Sequence, residues 1–192
     1  AGGKVSVSID ASNLGMDFFL AEKEASIFLT IGDYSSDYIP IKSNIELVYN
    51  DSKFMVYGSN GLTLLNKWMM SDGSIASLPG YTTALEEEKL TSDIILMEDI
   101  YMPSVTSGES NWLPIGKINN PVITSLDMSP YLGTFDGNNK KISGLQIYEN
   151  TSEPYIYSLG LFASFGGTVK NLTIENAHIT GNENTVSAGA VA

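Results

Sequence analysis

The sequence predicts a mainly-β chain in which residues from about 90 onward wind into a right-handed parallel β-helix, preceded by a small antiparallel β unit. Three observations predict it. From Leu90 on, short apolar segments alternate with Gly, Asn, Asp and Ser turns, at spacings too short for crossover helices. Ile142-Ser143-Gly144-Leu145-Gln146-Ile147 aligns with Val169-Lys170-Asn171-Leu172-Thr173-Ile174, each apolar position recurring 27 residues later. Gly160-Leu161-Phe162-Ala163 is echoed by Gly189-Ala190-Val191-Ala192. A coil explains such recurrence, because each turn sends the same kind of side chain inward, about 4.8 Å above the last. An antiparallel sandwich has no such requirement.

The elements follow in order. Val5, Val7 and Ile9 alternate with Ser6 and Ser8, as a half-buried strand does. Residues 25–31 form a second candidate strand, stopped by Gly32-Asp33, and Pro40 between Ile39 and Ile41 marks an edge or a bend. Strands 45–49 and 54–57 flank the turn formers Asn50-Asp51-Ser52. Residues 1–52 therefore read as the small β unit, with the character of a β-sandwich fragment, and 53–192 as the capped coil.

Two short helices are expected to do the capping. Leu62, Leu65 and Met69 repeat at helical spacing, with Leu64 and Trp68 widening the stripe. Ser59 or Asn60 would cap this helix and Asp72-Gly73 would end it. A second helix is predicted over 84–89, where Thr83 and Glu86 stand at capping-box spacing and Lys89 comes late. The coil strands are predicted at 90–97, 113–116, 133–135, 142–148, 159–165, 169–175 and 188–192.

Composition narrows the function classes. Hydrophobic residues make up 43% of the chain and charged residues 17%, a balance that folds. Ten Lys+Arg against 22 Asp+Glu leave a formal charge of −12, a field that repels a phosphate backbone. Lys140-Lys141 is the densest basic spot and makes no patch, so no nucleic-acid partner is expected. No apolar run is long enough to cross a bilayer, and Ala1-Gly2-Gly3 reads as a mature or trimmed start. The absence of cysteine excludes disulfides, thiolate zinc sites and cysteine nucleophiles.

An ordered series of short motifs carries a resemblance. Trp112-Leu113-Pro114-Ile115-Gly116 is followed by Gly133-Thr134-Phe135-Asp136-Gly137-Asn138 and by Ile142-Ser143-Gly144-Leu145. Gly160-Leu161-Phe162 and Gly167-Thr168-Val169-Lys170-Asn171-Leu172 then continue the order. Over residues 53–192 the chain resembles proteins carrying the GLUG motif, named for a Gly-Leu-hydrophobic-Gly signature. Here Ala163 stands where the motif's last glycine would be. The resemblance implies a parallel β-helix of large secreted or surface-anchored bacterial proteins, often adhesins. The expected location is thus extracellular or on the cell surface, in a parent anchored to the outer membrane.

Candidate chemistry is sparse. Asp136 lies in Asp136-Gly137-Asn138-Asn139, which is turn chemistry rather than half of a catalytic carboxylate pair. His178 is the only histidine; alternation with Ala177 and Ile179 points it outward, and alone it builds no ordinary metal site. Asn171 and Asn176 are expected to bond backbone groups at bends. Calcium is the one metal the Asp- and Asn-rich turns suit, yet the EF-loop and nonapeptide calcium patterns are absent. No cofactor motif is present. Trp112 and Trp68 read as core residues. Tyr148, Tyr155 and Tyr157 flank a loop at 149–154 and are the candidate ligand-binding residues.

The expected function is a non-catalytic adhesion or binding scaffold, with a host glycan or matrix protein as partner and self-association through an open terminal rung. Two alternatives stand beside it: a carbohydrate-active β-helix enzyme and a pilus or fimbrial subunit.

Overall fold

Strands dominate the computed structural model of the chain, which describes residues 24–27, 30–31, 34–35, 39–42, 46–70, 73–78, 80–116, 130–149, 157–181 and 185–191. The mainly-β class predicted from the sequence holds. Contacts divide the chain into two units, 1–45 and 46–192.

In the first unit, β1 (Glu24–Ile27), β2 (Thr30–Ile31), β3 (Tyr34–Ser35) and β4 (Ile39–Lys42) form two antiparallel pairs, β1 with β4 and β2 with β3. Pro40 sits opposite Ser26 in a two-stranded sheet, where its missing N–H deprives no second neighbour. The strand expected at Val5, Val7 and Ile9 lies outside the described residues.

The second unit opens with a hairpin. β5 (Leu47–Asn50) and β6 (Lys53–Val56) are antiparallel, joined through Asp51 and Ser52, both with positive φ. Two left-handed central residues give the turn whose twist suits a two-residue hairpin. Strand 47–50, read from the sequence as part of the leading unit, thereby belongs with the second.

Parallel pairing takes over after β6. The strands are β7 (Asp93–Leu96), β8 (Ile100–Tyr101), β9 (Thr134–Ser143), β10 (Gln146–Tyr148), β11 (Tyr157–Leu159), β12 (Thr168–Glu175), β13 (His178–Thr180) and β14 (Thr185–Ala188). One six-stranded sheet has the order β12-β9-β7-β6-β5, with β8 also beside β9. β10 pairs with β13 and β11 with β14, both parallel, as separate two-stranded sheets. The sheets are therefore mixed, and the uniform right-handed solenoid expected from the sequence is not what they show. The β5–β6 hairpin reverses direction because a tight turn, not a long crossover, joins its strands.

Like side chains stack across the parallel register. Phe54, Ile94, Phe135 and Val169 lie side by side, as do Ile100, Ile142 and Ile174, and Ile147 with Ile179. Phe54, Ile94, Phe135, Ile100 and Ile142 are fully buried, whereas Val169, Ile174 and Ile179 are half-buried at the outer side of the core. Each fully buried side chain of this size contributes about 1.5–3 kcal/mol, so these columns dominate the unit's stability.

The register corrects one expectation. Ile142 pairs with Ile174, not with Val169. The shared spacing has a local cause instead: each copy straddles one left-handed corner residue, Gly144 in the first and Asn171 in the second. Similar corners produced similar patterns at different places in the winding. Gly133-Thr134-Phe135 stacks on Gly167-Thr168-Val169, and Leu159 on Ala188, which sets Gly160 beside Gly189. Glycine is required at 133 and 167 because a Cβ would strike Ser92 O and Gly133 O respectively.

The corners stack too. Gly137 to Asn139 in β9 oppose the single residue Asn171, and Gly144 N donates to Glu175 O at 3.0 Å, beside Asn176. Asn138, Asn139, Asn171 and Asn176 all have positive φ, a region asparagine tolerates better than other side chains. The predicted strand 142–148 is accordingly split by Gly144 into the end of β9 and β10. The predicted strand 113–116 reduces to one bridge, Ile115 with Phe162.

One α-helix is present among the described residues, α1 (Ser59–Met69). Leu62, Leu65, Trp68 and Met69 are buried, and the Trp68 ring lies 5.3 Å from Phe54. Leu64, expected on the apolar stripe, is 37% exposed. Its cap also differs from expectation. Gly58 occupies the N-cap without a side-chain bond, and the Glu46 carboxylate accepts from Asn60 N at 2.8 Å and Gly61 N at 3.3 Å. A carboxylate at the positive end of the helix does the work a local Ser or Asn would have done. The predicted helix 84–89 is a 3-10 turn, Thr83–Glu87, with no side-chain cap. Its Glu86 carboxylate is drawn away, accepting from Trp68 Nε1 at 3.0 Å and pairing with Lys89 at 3.0 Å.

Two stability outcomes follow from columns and corners. Phe135→Ala should lower unfolding free energy by about 3–5 kcal/mol, while Leu132→Ala, at a residue 54% exposed, should change it by less than about 0.5 kcal/mol. Asn171→Ala should cost about 1–2 kcal/mol more than Asn171→Gly, because only glycine adopts that φ freely. Urea unfolding of the four variants checks both.

Candidate functional site

Asp136 is fully engaged at a corner. Its Oδ1 accepts from Asn138 N at 2.8 Å and Asn171 Nδ2 at 3.1 Å, and its carboxylate pairs with Lys170 at 3.2 Å. Burial works to raise the carboxyl pKa, but the Asn138 N–H, the Asn171 amide and the Lys170 ammonium outweigh it and hold it below the ordinary value. This is a staple between β9 and β12. His178, in β13, is exposed, with Nε2 3.4 Å from Thr180 Oγ1. Among the described residues no three His, Asp or Glu side chains come together to hold a metal ion.

A cleft of about 260 Å³ opens at one end of β10. Three elements build it. Thr63, Asn66 and Lys67 form one wall, their spacing placing them on one face of α1. The 110–114 loop forms the floor, and Ile147, Tyr148 and Glu149 form the far wall.

Hydrogen bonds from several directions hold the loop. Asn111 pairs like a strand residue: its N–H donates to Gln146 O, its Oδ1 accepts from Gln146 N, and its Nδ2 donates to Pro103 O and Gly144 O. Ser110 Oγ accepts from Tyr148 N at 2.8 Å and donates to Tyr148 O at 3.1 Å. Trp112 Nε1 donates to Leu161 O at 3.0 Å, which fixes the indole in the core with one edge on the cleft. Asn66 Nδ2 donates to Leu113 O at 2.9 Å and ties α1 to the loop.

Among the described residues, Lys67 and Glu149 are the charged ones lining the cleft, one of each sign. Glu149 is 8% exposed, and its N–H donates to Thr180 O at 2.9 Å. Tyr148 is 38% exposed and lies against Gly108. Among the described residues lining the cleft, Glu149 is the one carboxylate.

Of the tyrosines singled out in the sequence, Tyr148 lines this cleft. Tyr155 lies outside the described residues, and Tyr157 is in β11 with its side chain outside them. Sequence reasoning missed Lys67, Asn66, Ser110, Asn111 and Glu149. Only the adjacency of Glu149 to Tyr148 was a usable signal, since nothing local links 63–67 to 147–149.

Comparison with models of known protein families, with curated proteins and with solved structures gave no match.

Asp136 also makes stability depend on pH. Its folded pKa is lowered, so its contribution is fully present above the ordinary aspartate value of 3.8. That contribution is lost as pH falls below that value through the folded one. Asp136→Asn should therefore flatten acid destabilisation in that window and leave the slope near pH 7 unchanged, as read by urea midpoints across pH.

Proposed function

We propose that residues 53–192 form a capped, short right-handed parallel β-helix, GLUG-like in its motif order, serving as a non-catalytic adhesion or binding scaffold on a bacterial cell surface. The observation that carries this is the repeated parallel stacking of like residues, Phe54, Ile94, Phe135 and Val169 above all. A stack of this kind is stiff and leaves its turns free to vary, which suits display of a contact surface. The cleft beside β10 offers a place for a ligand, and its lone carboxylate argues for binding over hydrolysis. The formal charge of −12 favours neutral or cationic partners over anionic ones. Among the described residues no strand covers the outer side of β12, so its backbone groups are open to a further strand, the basis for self-association.

Immobilised glycans and matrix proteins test the reading. The whole chain should bind at least one of them saturably and release no product from polysaccharides. Absence of saturable binding across a broad panel would sink it.

A further inference from the structure

We infer that the cleft between α1, the 110–114 loop and the end of β10 binds one neutral pyranose ring, the terminal unit of a glycan. This rests on the binding-scaffold reading above and adds its site and ligand class.

Size comes first. At about 260 Å³ the cleft falls just below the roughly 300–1,000 Å³ of pockets that enclose drug-sized ligands. One six-membered ring fits such a space, and the rest of a longer ligand would extend into solvent.

Lining chemistry comes next. Leu113, Pro114, Ile147 and Trp112 give an apolar lining, and Tyr148, 38% exposed, borders it. Sugar rings present C–H faces that pack on such surfaces, while their hydroxyls need donors and acceptors around the rim. Lys67 supplies an ammonium donor with the Thr63 and Ser110 hydroxyls beside it, and Glu149 balances its charge. One positive and one negative group cancel, so the site favours a ligand without net charge. The surrounding negative charge of the chain opposes an acidic sugar further.

Preorganisation is the third argument. Asn111, Ser110, Trp112 and Asn66 are each held by hydrogen bonds of 2.8–3.1 Å to other parts of the unit. The walls need little ordering when a ring enters, which lowers the entropic cost of binding.

Titration of the whole chain with methyl glucoside, methyl galactoside, methyl mannoside and glucuronate, followed by NMR, tests the inference. At least one neutral glycoside should shift the resonances of Lys67, Ser110 and Tyr148 saturably and bind better than glucuronate. Tyr148→Ala, whose parent side chain is partly exposed and whose backbone bonds to Ser110 remain, should weaken that binding by about tenfold or more. Tyr101→Ala, at an aromatic 63% exposed and outside the cleft, should leave it unchanged. The inference is overturned by no saturable shift with any neutral glycoside, by tighter binding of glucuronate, or by equal loss in the two tyrosine variants. If the whole chain is captured by immobilised glycans and Tyr148→Ala is captured as well, the cleft assignment falls while the scaffold reading stands. No capture by any glycan or matrix protein ends both.

Discussion

Short parallel strands keep their register only if their bends fall at matching places, and left-handed backbone at Asn138, Asn139, Gly144, Asn171 and Asn176 forms those bends. For most side chains that conformation is costly; asparagine and glycine adopt it readily. The asparagine amides also reach to neighbouring strands. Asn138 Nδ2 donates to Leu96 O at 3.1 Å, Asn171 Nδ2 to Asp136 Oδ1 at 3.1 Å and Asn176 Nδ2 to Ser143 Oγ at 3.2 Å. Each bond ties a bend to a neighbouring strand, β7 or β9, so the bend contributes to the pairing on either side of it.

Once the corners are aligned, packing follows. The inward columns bring aromatic rings together in the second unit: Tyr131 stacks on Phe162 at 5.2 Å, and Phe135 meets Phe162 edge-on at 5.9 Å. Tyr131 buries its hydroxyl, which donates to Ser92 O at 2.8 Å, and burial pushes its pKa well up. α1 packs Trp68 against Phe54 at the hairpin side of the core, and Glu46 secures the helix start from the preceding strand region. At the opposite edge, Val169, Leu172 and Ile174 are only half-buried, because no described strand lies beyond β12.

The cleft is a by-product of the same order. The 110–114 loop follows the edge of β10 through Asn111 and Ser110 instead of forming a strand of its own. α1 meets that loop through Asn66. A gap between a helix and a loop that only mimics a strand is then unavoidable. Its lining is held by hydrogen bonds that also serve the fold.

The sequence by itself determined the mainly-β class, the position of α1, and the recurrence of Gly-Thr-hydrophobic and Gly-Leu motifs, because strand and helix periods are local properties. It also marked Asn171 and Asn176 as bend residues and Trp112 as a core side chain, although the two amides bond the Asp136 and Ser143 side chains rather than the backbone groups expected of them. Register was not local. The alignment of Ile142 with Val169 reflected two corners of similar sequence, and only backbone pairing across the winding set Ile142 beside Ile174. Helix capping by Glu46 and the capture of Glu86 by Trp68 were likewise invisible, since each joins residues more than a dozen positions apart. The cleft was legible only as Tyr148; Lys67, Asn111 and Glu149 join it through tertiary packing, which brings together side chains that no sequence spacing relates.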